Sequence, residues 1–172
     1  MDATVKGGVV AVKDRDRFAE LEQAGYGERD GRGRLVLKDY EALYLLHSGR
    51  LRLQDEHEAE VGFNSLAEKA QAENPGAWTK FVIYRDLRSR GYIVKDGFGF
   101  GTDLRVYERG DFPEKAARFV VFALDEGTEK EVGELNESVR QIIKMGKEAI
   151  VAVIERRGEV IYYKVSRANF RR

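Results

Sequence analysis

The chain has 172 residues, with 30 Lys and Arg against 30 Asp and Glu, so its formal net charge is zero. Charged residues make up 35% of it, and no apolar run approaches the roughly 18 residues of a bilayer helix, which excludes a membrane span. Cysteine is absent and histidine occurs twice, which excludes disulfides, thiolate metal sites and a His-rich metal centre; no cofactor is expected. Zero net charge argues against a chain that grips nucleic acid by bulk charge, and it leaves a local basic site open. The start, MDATVKGGVVAVKDRDRF, has no long apolar core, so a cytoplasmic location is expected. The dense mixed charge, with two Met and two Pro, resembles a thermophile's surface.

The elements divide near residues 75–80. Val9 to Val12 reads as a strand. Asp14 or Asp16 is expected to cap a helix carrying Phe18, Leu21 and Ala24, which Gly25 stops. Residues 25–33, GYGERDGRG, read as a turn. Leu35 to Leu37 is a short strand, and Asp39 is expected to cap a helix whose Ala42, Leu45 and Leu46 share one apolar face. Residues 51–53 and 61–63 can pair around the acidic loop QDEHEAE. Ser65 and Glu68 fit a capping box opening another helix, closed by Asn74-Pro75-Gly76.

A helix from about Trp78 to Arg90 opens the second part, with Phe81, Tyr84 and Leu87 or Arg88 on one face and Gly91 as its stop. Short β-rich stretches follow at 92–95, 104–107, 119–124, 149–154 and 160–165. Between them, Leu135, Val139 and Ile142 or Ile143 fall at helical spacing over 131–145. The expected class is therefore α+β. A small mixed α/β domain spans 1–78, and a domain with a mainly antiparallel sheet flanked by helices spans 79–172.

The chemistry concentrates in residues 84–110, YRDLRSRGYIVKDGFGFGTDLRVYERG. The glycines form GFGFG rather than GxGxxG, and no helix opens after them, so a nucleotide-binding loop is a poor reading. Basic residues interleaved with aromatics suit RNA, whose bases stack on rings and guanidinium planes. Read alone, the segment is better explained as a hairpin with solvated arginines.

Read as a string, it resembles the archaeal tRNA-splicing endonuclease family, whose pattern is a VYRDLRxRGY-like helix end followed by VKxGxKFGxDFRVYxRG. The resemblance continues through ARFVVFALDEG, through SVR followed seven residues later by a Lys, and into AIVAVIERRGEVIYYKVSR. In the first part it covers GYGE and LKDYEALYLLHSGRLRL, and so nearly the whole chain.

The resemblance implies cleavage of precursor tRNA at a bulge-helix-bulge element. The ribose 2′-OH attacks the adjacent phosphate without metal, leaving a 2′,3′-cyclic phosphate and a 5′-OH end. Such chemistry needs a base, an acid and a cation, which the family draws from Tyr, His and Lys. Tyr107 takes the tyrosine position and Lys147 the lysine position. The histidine of an H-[SA]-K-Y-like string falls on Ala116, in Ala116-Ala117-Arg118-Phe119. Two accounts fit the alanine: a subunit that lost the acid and supports a catalytic partner, or a histidine replaced to trap an uncut complex. His47 and His57 read as structural or solvated residues. Arg140 resembles a family arginine that clamps a bulged base, Arg167 is the candidate for its partner, and Arg105 is a third RNA-facing candidate. Asp125, Glu126 and Glu129 resemble an acidic loop that docks into a neighbouring subunit. The last strand, with aromatic and β-branched residues on both faces, suits pairing with another subunit. Together these imply a homo- or hetero-tetramer of same-family subunits. A non-catalytic structural subunit and a plain RNA-binding protein remain the alternatives.

Overall fold

The computed structural model describes residues 1–99, 103–125 and 131–170. The chain divides into two units, Met1–Arg85 and Asp86–Arg172.

The first unit opens with a hairpin, β1 (Asp2–Lys6) and β2 (Val9–Val12). Gly7 and Gly8 join them, both at positive φ (56° and 79°), the geometry of a two-residue turn matched to strand twist. A 3-10 turn at Arg15–Arg17 runs into α1 (Phe18–Gln23). Next come β3 (Glu28–Arg29), β4 (Leu35–Leu37), α2 (Asp39–His47), β5 (Arg52–Gln54) and α3 (Phe63–Glu73). The strands form one sheet in the order β3-β4-β2-β1-β5, antiparallel except for β1 against β5. Its core includes Val10, Leu21, Leu35, Leu43, Leu45 and Leu53, all essentially inaccessible.

Several expectations about this unit are corrected. Neither Asp14 nor Asp16 caps α1; Arg17 precedes it. The Asp14 carboxylate instead accepts the Asp2 N–H at 3.0 Å, twelve residues earlier in the chain. Asp39 sits inside the first turn of α2, and Glu41 reaches back to the Lys38 N–H at 2.9 Å. The expected box at Ser65 and Glu68 is absent, because α3 already begins at Phe63 behind Gly62. The turn at 25–33 contains the two-residue strand β3, and β1 lies where no strand was read. Residues 51–53 and 61–63 meet only locally, through a Gln54–Glu60 bridge and a Val61 N–H to the Leu53 carbonyl at 2.8 Å. His47 fits its structural reading, with its ring 5.9 Å from Phe63.

Helix α4 (Ala77–Ser89) contains the division between the units. It buries Phe81, Tyr84 and Leu87 as the spacing predicts, and Val82 and Ile83 as well.

The second unit continues with β6 (Ile93–Asp96), β7 (Asp103–Tyr107), β8 (Phe119–Asp125), α5 (Val132–Lys144), β9 (Glu148–Ile154) and β10 (Val160–Val165). Its sheet runs β10-β9-β8-β7-β6. Three pairings are antiparallel, and β8 against β9 is parallel. A parallel pair needs a crossover connection, and α5 lies on it. The helix covers one sheet face, where Val139 and Ile142 meet Val120, Phe122, Ala149 and Val151. Alternate positions along these strands carry the other face. β10 is an edge strand, with Tyr163 54% exposed.

Both units mix helices with a largely antiparallel sheet, the α+β class read from the sequence. No helix among the described residues is long and apolar enough to cross a membrane.

Candidate functional site

One rung of the second sheet runs Val106 to Phe119 to Glu148 across β7, β8 and β9. Neighbouring strands lie about 4.8 Å apart, so whatever extends past this rung is gathered at one end of the sheet. Tyr107 is the next residue of β7. Arg118, Ala117 and Ala116 lead into β8, and Lys147 immediately precedes β9. The backbone ties these segments further: the Arg118 N–H donates to the Val106 carbonyl and the Glu148 N–H to the Arg118 carbonyl, each at 3.0 Å. Topology thus brings Tyr107, Ala116 and Lys147 to the ends of three adjacent strands.

Lys147 is half-buried, and its ammonium donates to the Ala117 carbonyl at 2.6 Å. An ammonium has three donors, and this bond, the one Lys147 makes among the described residues, orients the group. The Tyr107 ring stands edge-on to Phe112, with centroids 4.9 Å apart. Ala116 is exposed and its methyl brings no titratable group. Neither His47 nor His57 lies in this unit; His57 sits in an exposed loop, its N–H bonded to the Asp55 carboxylate at 2.8 Å.

A charge network borders this strand end. Arg118 bridges Glu108 at 2.7 Å and Glu148 at 3.1 Å, and Lys164 reaches the other Glu148 oxygen at 2.9 Å. Hydrogen bonds from Lys164 and then Arg118 hold the Glu148 carboxyl below its usual range. The same carboxylates raise Arg118, the bond from Glu148 contributing most. Arg118 is therefore already neutralised locally, whereas among the described residues Lys147 is bonded only to a neutral carbonyl. The sequence reading missed this network; its partners lie up to thirty positions apart.

Gly97 and Asp103 fix the approach from β6 to β7. Asp103 is buried, and its carboxylate accepts the Phe98 N–H at 2.7 Å. A Cβ on Gly97 would overlap that carboxylate, so glycine is required there. Phe98 is left 41% exposed. The Arg105 guanidinium and the Lys147 ammonium each lie 5.7 Å from its ring centroid.

The other RNA-facing candidates lie elsewhere in the unit. Arg140 is exposed on α5 and meets Glu137 at 3.7 Å. Arg167 is exposed in the chain after β10. Among the described residues, neither makes a hydrogen bond or ion pair with Tyr107, Ala116 or Lys147. Asp125 ends β8, and Glu126 and Glu129 lie outside the described residues.

Comparison with known proteins covers both units. The family model for the tRNA intron endonuclease N-terminal domain matches residues 1–67, and that for the catalytic C-terminal domain matches residues 77–162. The chain is 34% identical over 161 residues to a tRNA-splicing endonuclease of Methanothermobacter thermautotrophicus, covering 91% of each. It is 31% identical over 156 residues to one from Methanococcus maripaludis, covering 91% of this chain and 88% of the relative. A third, from Pyrococcus furiosus, is 33% identical over 146 residues, covering 85% of this chain and 83% of the relative.

Proposed function

The chain belongs to the tRNA intron endonuclease family, and we propose that it is a subunit that cleaves intron-bearing precursor tRNA in the cytoplasm through the strand end holding Tyr107 and Lys147. The observation that carries this reading is the convergence of β7, β8 and β9, which sets a phenol and an ammonium beside the same short segment.

The proposed reaction needs no metal. Tyr107 takes the proton of a ribose 2′-OH as its oxygen bonds to the adjacent phosphorus. The bond from phosphorus to the 5′-oxygen breaks, leaving a 2′,3′-cyclic phosphate, and the departing oxygen takes up a proton. An ordinary tyrosine loses its proton at about pH 10, and the species able to take the ribose proton is the phenolate. Lys147 opposes the charge that builds on the phosphate oxygens. The acid for the 5′-oxygen is the missing part, since position 116 is alanine. In this chain alone that proton comes from water, and cleavage is slow.

Ala116 favours a second reading, a structural subunit that supports a catalytic partner bearing the histidine. Either reading places the chain in a tetramer of same-family subunits. The open edge of β10 would pair with another copy or subunit, and the acidic residues Asp125, Glu126 and Glu129 would set register against a positive groove. Neutralising those three residues should shrink the tetramer to dimers in sedimentation; an unchanged species contradicts the docking.

The test is to incubate the wild-type chain with precursor tRNA in EDTA, with and without a histidine-bearing family subunit. Tight binding, slow cutting alone and junction-specific cutting on mixing are expected. Failure to bind precursor tRNA in either state overturns the reading.

A further inference from the structure

Phe98 has no part in the chemistry proposed above, yet its ring stands beside one group that does, Lys147. It is an exposed large apolar side chain, 41% accessible, on a turn built to hold it still. Its own N–H is anchored at 2.7 Å to a carboxylate that is itself buried, that of Asp103. The preceding Gly97 has no room for a Cβ, and the following Gly99 adopts φ +91°, a backbone conformation that other residues rarely take. The backbone on both sides of this exposed phenyl ring is thus constrained.

Two cations lie near the ring. Arg105 and Lys147 each place their charge 5.7 Å from the centroid, inside the roughly 6 Å range of cation–π attraction. They reach it from different strands. Arg105 also keeps its Nε–H buried with no hydrogen-bond acceptor among the described residues. An unmet donor of this kind is costly unless an incoming group supplies the acceptor. An apolar ring flanked by two cations matches the pattern of single-stranded nucleic acid, a flat base bordered by phosphates. A hydrophobic peptide would satisfy the ring and leave both cations unmatched.

We propose that Phe98 is the stacking platform for an unpaired base next to the cleaved phosphate, with Arg105 and Lys147 holding the phosphates on either side of that base. The inference rests on the proposed function, because it takes Lys147 as the group facing the reacting phosphate. It gives the site a means of recognising the bulge: a paired base cannot leave its helix to lie on the ring, and an unpaired one can.

The experiment uses the full chain and an intron-bearing precursor tRNA carrying 2-aminopurine at successive bulge positions. With wild-type protein, fluorescence should be quenched at one bulge position. Phe98→Leu should weaken binding about tenfold, the scale of one lost base stack, and should abolish that quench. Phe98→Tyr should keep both. Matching thermal melts for the variants establish that they fold. Unchanged affinity in Phe98→Leu, or weakened affinity with the quench retained, overturns the inference and leaves the functional reading standing. If the wild-type chain fails to bind precursor tRNA at all, both fall together.

Discussion

The two sheets of this chain, β3-β4-β2-β1-β5 and β10-β9-β8-β7-β6, share a construction: each has three antiparallel pairings and one parallel pairing. They treat their polar side chains in opposite ways. In the first unit the most constrained carboxylate is Glu41, fully buried. It accepts the Gly27 N–H at 3.2 Å and the Lys38 N–H at 2.9 Å. Its charge is spent on backbone donors and fixes where the 25–27 loop meets α2. In the second unit Tyr107 and Lys147 stand half-buried at one sheet end, and among the described residues the Lys147 ammonium is bonded only to a neutral carbonyl. A satisfied polar group holds a fold together, while an incompletely satisfied one can meet a ligand. The difference separates a carboxylate that holds a loop of the first unit from side chains of the second that stay accessible to a ligand.

Three perturbations sharpen that contrast. The largest effect should come from Lys147. With Ala116→His restoring the acid, Lys147→Ala should lower the cleavage rate about 100- to 1000-fold, with little change in the urea unfolding midpoint. A fall in stability that accounts for the lost rate would make Lys147 a structural residue and erase the contrast. Next is Glu41→Leu, which strands buried N–H donors and should cost about 3 kcal/mol of unfolding free energy, measured by urea titration. A loss well under 1 kcal/mol would show that the buried carboxylate is not holding its loop.

The smallest effect concerns pH. The Glu148 carboxyl is held below its ordinary value of 4.5 by Lys164 and Arg118. A lowered folded-state value means that its stabilisation is present above the unfolded value and is lost as pH falls through the folded one. Wild type should therefore lose stability relative to Glu148→Gln on acidification below about pH 4.5, where an unfolded carboxyl begins to protonate. Parallel pH profiles for the two proteins would remove Glu148 from the network. Because the pair is largely exposed, the difference should shrink in high salt.

Much of the second unit was legible in the sequence. The run Val160-Ile161-Tyr162-Tyr163-Lys164-Val165 was read as a strand with the bounds that β10 has, because β-branched and aromatic residues fill every position but one. Helix α4 was also visible, from Phe81, Tyr84 and Leu87 on one face. The first unit was harder. Asp14 looks like a helix cap by local rules, and its carboxylate is instead taken by the Asp2 N–H, a partner that spacing does not disclose. β1 was missed although Gly7-Gly8 is a hairpin signal, because its apolar positions, Ala3 and Val5, are small and alternate with polar ones. Tyr107, Ala116 and Lys147 were chosen by resemblance, and nothing in their spacing brings them together. Their meeting depends on the parallel pairing of β8 and β9. Phe98 escaped notice for the same reason, since the cations beside it come from positions 105 and 147.

The central claim is that this strand end is a ribonuclease site complete except for its acid. The direct test restores that acid. The Ala116→His chain and the wild type are compared on an intron-bearing precursor tRNA in EDTA, and both the rate and the new RNA ends are read. The account predicts a rise in cleavage of about 100-fold or more, at the intron junctions, with 2′,3′-cyclic phosphate and 5′-OH ends. No rise in Ala116→His that binds the RNA as tightly as wild type, or products without the cyclic phosphate, would contradict it.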